Sequence, residues 1–285
     1  MIKDKREVMS EDEFSMLRDL IVNEFGIILK GDKRLTLHTK VSHRLSILGL
    51  KGYRQYYDYL LSDDSKEELY TFVSHITNNE TYFFREKAQL SVFSDMLPEI
   101  KREKQRVHEN ALRIGSLASS SGEEAYSLNI LIQESGLFVW DWDIRITGMD
   151  IDRNAIRKAR EASYTANSFR AMNGSAGYVD RYFVFEKGQY LLRKPLTKNV
   201  EFEIGNILDR SSYEGLGRLD VIFCRNVLIY MSDESIMKLA GNVYNVLTDE
   251  GYLFIGSSES LIQKTNLFTP EFKNGTIVYR KNLKL

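Results

Sequence analysis

The feature that most constrains the chain is an alternation that begins at residue 111. ALRIGSL (111–117) reads as a strand, GEEAYSLNILIQES (122–135) as a helix, DIRITGMD (143–150) as a strand, and DRNAIRKAREA (152–162) as a helix with Asp152 as its N-cap. VEFEIGNI (200–207), LDVIFC (219–224), a helix from about Asp233 to Leu247 and the strand GYLFIGS (251–257) continue the pattern. Strands separated by crossover helices pair in parallel and have both faces covered. The fold class is therefore α/β, a mostly parallel, doubly wound sheet. Two stretches depart from the pattern. GYLFIGS and TIVYRKN (276–282) have only a loop and at most a short helical turn between them, which predicts an antiparallel strand at the end of the sheet. RYFVFEKGQYLLRK (181–194) alternates about Lys187-Gly188 as a β-hairpin.

Upstream of residue 111 the periodicity is helical. SEDEFSMLRDLIVNEF (10–25) opens with a Ser10 to Glu13 capping box and places Phe14, Leu17, Leu20, Ile21 and Phe25 on one face. A second amphipathic helix runs from Lys33 to Leu48, and YRQYYDYLL (53–61) and ELYTFVSHI (68–76) add two more. EIKREKQRVHEN (99–110) is a polar helical stretch. These readings divide the 285 residues into an all-α N-terminal domain (1–75), a linker region (76–110) and an α/β domain (111–285) whose hairpin makes a small β-subdomain near 182–200.

Between Lys30 and Arg54, seven basic residues (Lys30, Lys33, Arg34, Lys40, Arg44, Lys51 and Arg54) face one acid, Asp32. In helical projection Lys33, Lys40 and Arg44 share one face, beside an apolar stripe of Leu37, Val41, Leu45 and Leu48. Such a stripe suits an acidic partner. The whole chain carries a net charge of −1, which argues against a protein that coats nucleic acid. No apolar run approaches the ~20 residues of a membrane-spanning helix. MIKDKREVMS lacks the apolar core of a signal peptide, so a cytoplasmic location is expected. One cysteine, Cys224, and four scattered histidines predict neither a disulfide nor a metal site. Cys224 reads as a buried strand residue. Nothing demands more than a monomer.

Open α/β sheets bind ligands at the carboxyl ends of their strands. The turn after the first strand holds Ser119, Ser120, Ser121 and Gly122, small residues that let a ligand approach the backbone. Glu123 and Glu124 follow, where a phosphate would be repelled and a cationic ligand welcomed. They equally complement the dipole of the helix that begins there. The second strand ends in Asp150, 28 positions after Gly122, where doubly wound folds place an acid on a ribose diol. Acidic groups at two adjoining strand ends suit an adenosyl ligand without phosphates, and S-adenosylmethionine, with its free ribose, sulfonium and amino acid tail, fits that description.

TNNETYFFRE (77–86) and LDVIFCRNVLIYM (219–231), with SSSGEEAYSL, GMDID and GYLFIGSSES in the same order, resemble the signature segments of the CheR family of chemotaxis receptor glutamate methyltransferases. The resemblance runs from the N-terminal helices to the final strand. It implies a Rossmann-like S-adenosylmethionine methyltransferase sheet with a small β-subdomain, preceded by an all-α receptor-binding domain. By matching position, Asn79, Thr81 and Arg85 reach the donor from the linker, while Glu123 or Glu124, Asp150, Asn206 with Ile207, and Arg225 with Asn226 line the rest of its pocket. Asn206 is expected to make amide contacts to adenine. Arg85 can fork onto a carboxylate, that of the donor's tail or of the substrate glutamate, or form a surface salt bridge. At least one of Tyr82, Phe83 and Phe84 is expected in the core, and Tyr230 is expected to orient the acceptor carboxylate.

The family's substrates are glutamates on helical, acidic cytoplasmic regions of receptors, which the Lys33, Lys40 and Arg44 stripe suits; a solvated helix face is the alternative. A glutamate of reference pKa near ~4.3 is ionised at neutral pH, so the resemblance asks for alignment and no strong base. Some family members hold a pentapeptide tether at receptor C-termini through a longer, glycine-richer hairpin loop than FEKGQY, so independence of the tether is expected. Ala125 stands where many relatives carry proline. The competing readings are a non-catalytic homologue that binds the receptor or senses the donor, and a methyltransferase for another carboxylate.

Overall fold

The computed structural model describes residues 8–29, 33–77, 79–172 and 176–284. Lys30 and Asp32 of the basic segment and Asn78 of the linker motif lie outside the described residues. The capping box forms as expected: the Ser10 hydroxyl accepts from Glu13 N at 3.3 Å, and the Glu13 carboxylate accepts from Ser10 N at 2.9 Å. It starts α1 (Glu11–Phe25), which with α2 (Arg34–Leu48), α3 (Tyr53–Ser62) and α4 (Glu67–Ser74) encloses Leu17, Ile21, Val41, Leu45, Tyr56 and Val73.

α5 (Lys87–Arg106) is much longer than the polar stretch that announces it. Its early turns bury Leu90, Phe93 and Leu97 at helical spacing, and the helix continues through Pro98 although proline supplies no N–H to the ladder. Packing compensates. The Phe93 ring stands edge-on to Phe223 at 5.4 Å, and Phe223 stacks on Phe254 at 4.4 Å, which fixes α5 against the sheet.

The remaining elements are β1 (Ala111–Leu117), α6 (Glu123–Ser135), β2 (Asp143–Asp150), α7 (Arg153–Glu161), β3 (Ser163–Tyr164), α8 (Ala176–Tyr182), β4 (Phe183–Glu186), β5 (Gln189–Leu192), α9 (Lys194–Thr197), β6 (Val200–Ile204), β7 (Leu219–Cys224), α10 (Asp233–Val246), β8 (Leu247–Ile255), β9 (Phe268–Lys273) and β10 (Thr276–Lys281). The main sheet has the order β6-β2-β1-β7-β8-β10-β9, parallel through β8, with β10 antiparallel to both β8 and β9. Strand order reverses between β1 and β7. Apolar clusters cover both faces, one including Leu97, Ile130 and Phe254, the other Leu239, Val243 and Leu253. A second small sheet, β3-β5-β4, carries the hairpin, whose turn residues Lys187 and Gly188 both have positive φ.

One expectation needs correction. The connection between the last two sheet strands of the sequence reading contains a strand of its own, β9, which makes a hairpin with β10 around Asn274-Gly275. Pro270 disguises it, since proline is tolerated only on an edge strand, and β9 is the edge.

Gly122 carries the turn from β1 into α6. Its φ is +89°, and a Cβ there would lie 2.7 Å from the Phe202 ring and 2.9 Å from Ala159 Cβ. Gly122→Ala should therefore cost about 1–3 kcal/mol, since both overpacking and a strained φ oppose it. Thermal unfolding should show a fall in Tm of several degrees. An unchanged Tm would show that the turn relaxes freely.

Candidate active site

A cavity of about 380 Å³ opens at the carboxyl ends of β1, β2, β6 and β7, within the size range of small-molecule sites. The first wall is the turn after β1. Ala118, Ser120 and Gly122 all have positive φ, and the turn is held by its neighbour: Ser119 N donates to the Met149 carbonyl at 2.9 Å and Ser120 N to Asp150 Oδ2 at 2.7 Å. Asp152 N donates to Asp150 Oδ1 at 2.8 Å, and Ile151 N adds a further backbone hydrogen bond to the same carboxylate. Burial, against these N–H bonds, pushes the Asp150 pKa up to about 6. Asp152 caps α7 through Asn154 N at 2.8 Å, as expected, and its other oxygen accepts from the Asn79 amide.

The structure separates the two glutamates that the sequence left as alternatives. Glu124 lines the cavity, accepting from Ser116 Oγ at 2.7 Å and from Arg225 Nε at 2.7 Å. Glu123 is turned away from the cavity into the protein, where it accepts from Ser121 Oγ at 2.8 Å and Ser168 Oγ at 3.0 Å. Burial raises its pKa. The Arg225 side chain, only 2% exposed, also donates to the Arg85 carbonyl at 3.0 Å and lies 3.5 Å from Glu86. Asn226, held at φ 59°, donates its amide to Glu86 Oε1 at 2.9 Å.

The opposite wall comes from the linker and the helical domain. Asn79, Thr81 and Arg85 line the cavity, as do Asn206, Ile207, Asn226 and Tyr230, so every expected donor-site residue except Glu123 converges there. Arg85 donates to the Glu80 carbonyl at 2.7 Å, with its guanidinium 5.8 Å from the Tyr82 ring. Phe83 and Phe84 are core residues. The Asn206 amide is engaged within the protein at both ends: it donates to the Glu24 carbonyl at 2.9 Å and accepts from Leu208 N at 2.9 Å. It thus fastens α1 to the cavity rim, and the expected side-chain contact to adenine would have to compete with that pairing. Ile28 N donates to the Tyr230 carbonyl at 2.7 Å, so Phe25, Ile27, Ile28 and Leu29 roof the site.

The basic stripe is dispersed by tertiary structure. Arg44 forms a two-pronged ion pair with the buried Glu68, at 2.9 and 2.5 Å, and Tyr56 donates to the same carboxylate at 2.8 Å. Lys40 donates to the His75 carbonyl after α4. Lys33 stands exposed at the cavity rim. Glu86, Gln89 and Glu259, which support the site, were missed by sequence reasoning. Glu86 and Glu259 lie inside the quoted signature segments, but nothing in their spacing announces a role. Cys224 is buried in β7, and burial pushes its thiol pKa well up, as suits a core residue. Among the described residues no group of three or more His, Cys, Asp or Glu could hold a metal ion, and no helix is long and apolar enough to cross a membrane.

A doubly wound sheet with acids at adjoining strand tips, roofed by a helical domain, is the arrangement of a Rossmann-like methyltransferase. Residues 79–276 match the CheR methyltransferase SAM binding domain and residues 12–77 its all-alpha domain. The chain belongs to this family of S-adenosylmethionine-dependent methyltransferases. It is 33% identical to chemotaxis protein methyltransferase 2 of Vibrio cholerae over 276 residues, 96% of this chain and 94% of that one. It is 29% identical to the chemotaxis protein methyltransferase of Salmonella typhimurium, covering 96% of this chain and 92% of that one.

Replacing Arg44 leaves Glu68 charged in a buried site, which costs about 3–5 kcal/mol. Arg44→Ala should therefore lower Tm markedly, while Lys33→Ala leaves it within about a degree or two, as surface substitutions do. Equal Tm values for the two variants would refute the assignment of Arg44 to the domain's interior.

Proposed function

We propose that this protein transfers the methyl group of S-adenosylmethionine to glutamate side chains in the helical cytoplasmic regions of chemotaxis receptors. The observation that carries the reading is the convergence of Glu124 and Asp150, at adjoining strand ends, with Arg85 and Tyr230 across one cavity. Asp150, a buried acceptor at the tip of β2, is placed to accept from the ribose of the donor. The cavity lining carries Glu80, Glu124 and Asp150 alongside Lys33, Arg85 and Arg225, and its two acids at the strand tips, Glu124 and Asp150, suit a sulfonium and a free ribose better than a phosphate.

When bound, the donor supplies a methyl carbon on positively charged sulfur; an ionised carboxylate can form its O–C bond there as the C–S bond breaks and the sulfur leaves as a neutral thioether, with no proton transfer. The protein's work is then positioning and exclusion of water. Arg85 guides the acceptor carboxylate by its fork of donors, Tyr230 orients it, and Ile27, Ile28, Ile151 and Met231 keep the cavity apolar around them. The tight Lys187-Gly188 turn of the hairpin supports independence of a C-terminal receptor tether. Lys33, at the rim, is the member of the basic stripe still placed to meet an acidic receptor surface.

Incubation with radiolabelled donor and receptor-bearing membranes should give base-labile label on the receptor. Arg85→Ala and Tyr230→Phe should each reduce it by about tenfold or more, as loss of a positioning contact does. Receptors lacking their last residues should be labelled equally. Donor binding without any transfer would support a non-catalytic role instead.

Donor affinity should also depend on pH. Asp150 accepts from the ribose best when ionised, and its pKa of about 6 lies above the ordinary value of 3.8. The dissociation constant measured by calorimetry should therefore be constant above pH 7 and rise as pH falls through about 6. Asp150→Asn should bind weakly and lose that dependence; a wild-type profile flat down to pH 5 would refute the role of Asp150.

A further inference from the structure

Two carboxylates outside the cavity hold the loop that carries Tyr230. β7 and β8 are parallel neighbours, so the loops that leave them, 225–230 and 256–259, emerge side by side. Glu259 reaches across from the second loop to the first. Its Oε2 accepts from Asn226 N at 2.9 Å and from Gly256 N at 2.6 Å, and its Oε1 accepts from Ile229 N at 3.2 Å. Glu86, next to Arg85, grips the same loops: it accepts from the Asn226 amide at 2.9 Å and from Ser257 N at 3.1 Å. The turn 226–230 is thus bound at both ends, and Asn226 is kept in a left-handed conformation that asparagine alone would only occasionally adopt.

We propose that Glu259 is a positioning residue for methyl transfer: by gathering the N–H groups of Asn226 and Ile229 it sets the turn that presents Tyr230 to the cavity opposite Arg85. The role rests on the reading of Tyr230 as the residue that orients the acceptor. Glu259 touches no ligand in this scheme. It acts through backbone geometry, where a shift of about 1 Å can cost up to a hundredfold in rate.

Three features of the clamp make this specific. A carboxylate offers only acceptors, so it can satisfy three converging N–H groups that an amide cannot. Glu259 N itself donates to the Gly256 carbonyl at 2.9 Å, which closes the second loop on itself and leaves the carboxylate little freedom. A Cβ on Gly256 would meet Glu259 Oε2 at 2.6 Å and Asn226 N at 2.9 Å, so the carboxylate occupies the space a side chain would need.

The test is a double-mutant cycle of Glu259→Gln and Tyr230→Phe, with kcat and KM for transfer to receptor membranes and the dissociation constant of S-adenosylhomocysteine measured for each. In Glu259→Gln the new NH₂ must face at least one N–H, so the turn loosens without loss of volume. The expected result is a fall in kcat of about tenfold or more, a loss of product affinity several-fold smaller than the loss in kcat, and a double variant no slower than the slower single one. Multiplying losses, or an unchanged kcat, would overturn the positioning role. A Tyr230→Phe variant at the wild-type rate would instead overturn the reading of Tyr230 on which the role rests. Should Glu259→Gln fail to fold, Gly256→Ala displaces the same carboxylate from the other side and is expected to give the same pattern of kcat, affinity and non-additivity.

Discussion

The buried Arg225 guanidinium is the constraint on which the site depends. A charge removed from water must be met by opposite charge and by hydrogen-bond acceptors, or it costs several kcal/mol. Arg225, with 2% of its side chain exposed, finds Glu124 at the start of α6, Glu86 and the Arg85 carbonyl in the linker, and the Gln89 amide at 3.3 Å in α5. Satisfying one cation thus brings three sequence-distant segments to one point. Glu124 is oriented by that demand, and the Arg85 backbone is fixed by it.

Around this centre the backbone is held in conformations that local preference disfavours. Ala118, Ser120, Phe84, Glu86 and Asn226 all have positive φ, which costs free energy and persists only where packing and hydrogen bonds determine it. The offset for the linker is aromatic. Phe83 stacks on Phe169 at 5.0 Å and meets Tyr164 at 4.8 Å and Phe183 at 5.0 Å, while its N–H donates to the Ser168 carbonyl at 2.8 Å. The same segment gives Glu123 its partner, Ser168, so the small β-sheet and its flanking turn brace both the linker and the turn after β1. Glu123 is structural in this arrangement although it stands beside the residue that lines the cavity.

The helical domain is joined to the sheet by backbone groups at the cavity rim. The Glu24 carbonyl on Asn206, Ile28 on the Tyr230 carbonyl and the antiparallel bridge of Ile27 with Met231 place residues 27–29 directly over the site. A roof of this kind limits the access of water to the cavity, which strengthens every electrostatic interaction beneath it. It also makes the cavity a shared property of both domains.

Much of this architecture was legible in the sequence wherever the signal is local. The capping box at Ser10, the cap at Asp152, the hairpin at Lys187-Gly188 and the strand–helix alternation each depend on residues a few positions apart, and each appears where the pattern puts it. The early turns of α5 and strand β9 escaped because Pro98 and Pro270 mask otherwise regular periods. The site was legible as a set of residues but not as a set of contacts. Which glutamate faces the cavity, where Arg44 and Lys40 spend their charge, and that Asn206 answers to Glu24, 182 positions away, were decided only by tertiary structure. The physical reason is the same in each case: a polar group leaving water takes whichever partner the packed chain brings within about 3 Å, and that partner is set by neighbours in space.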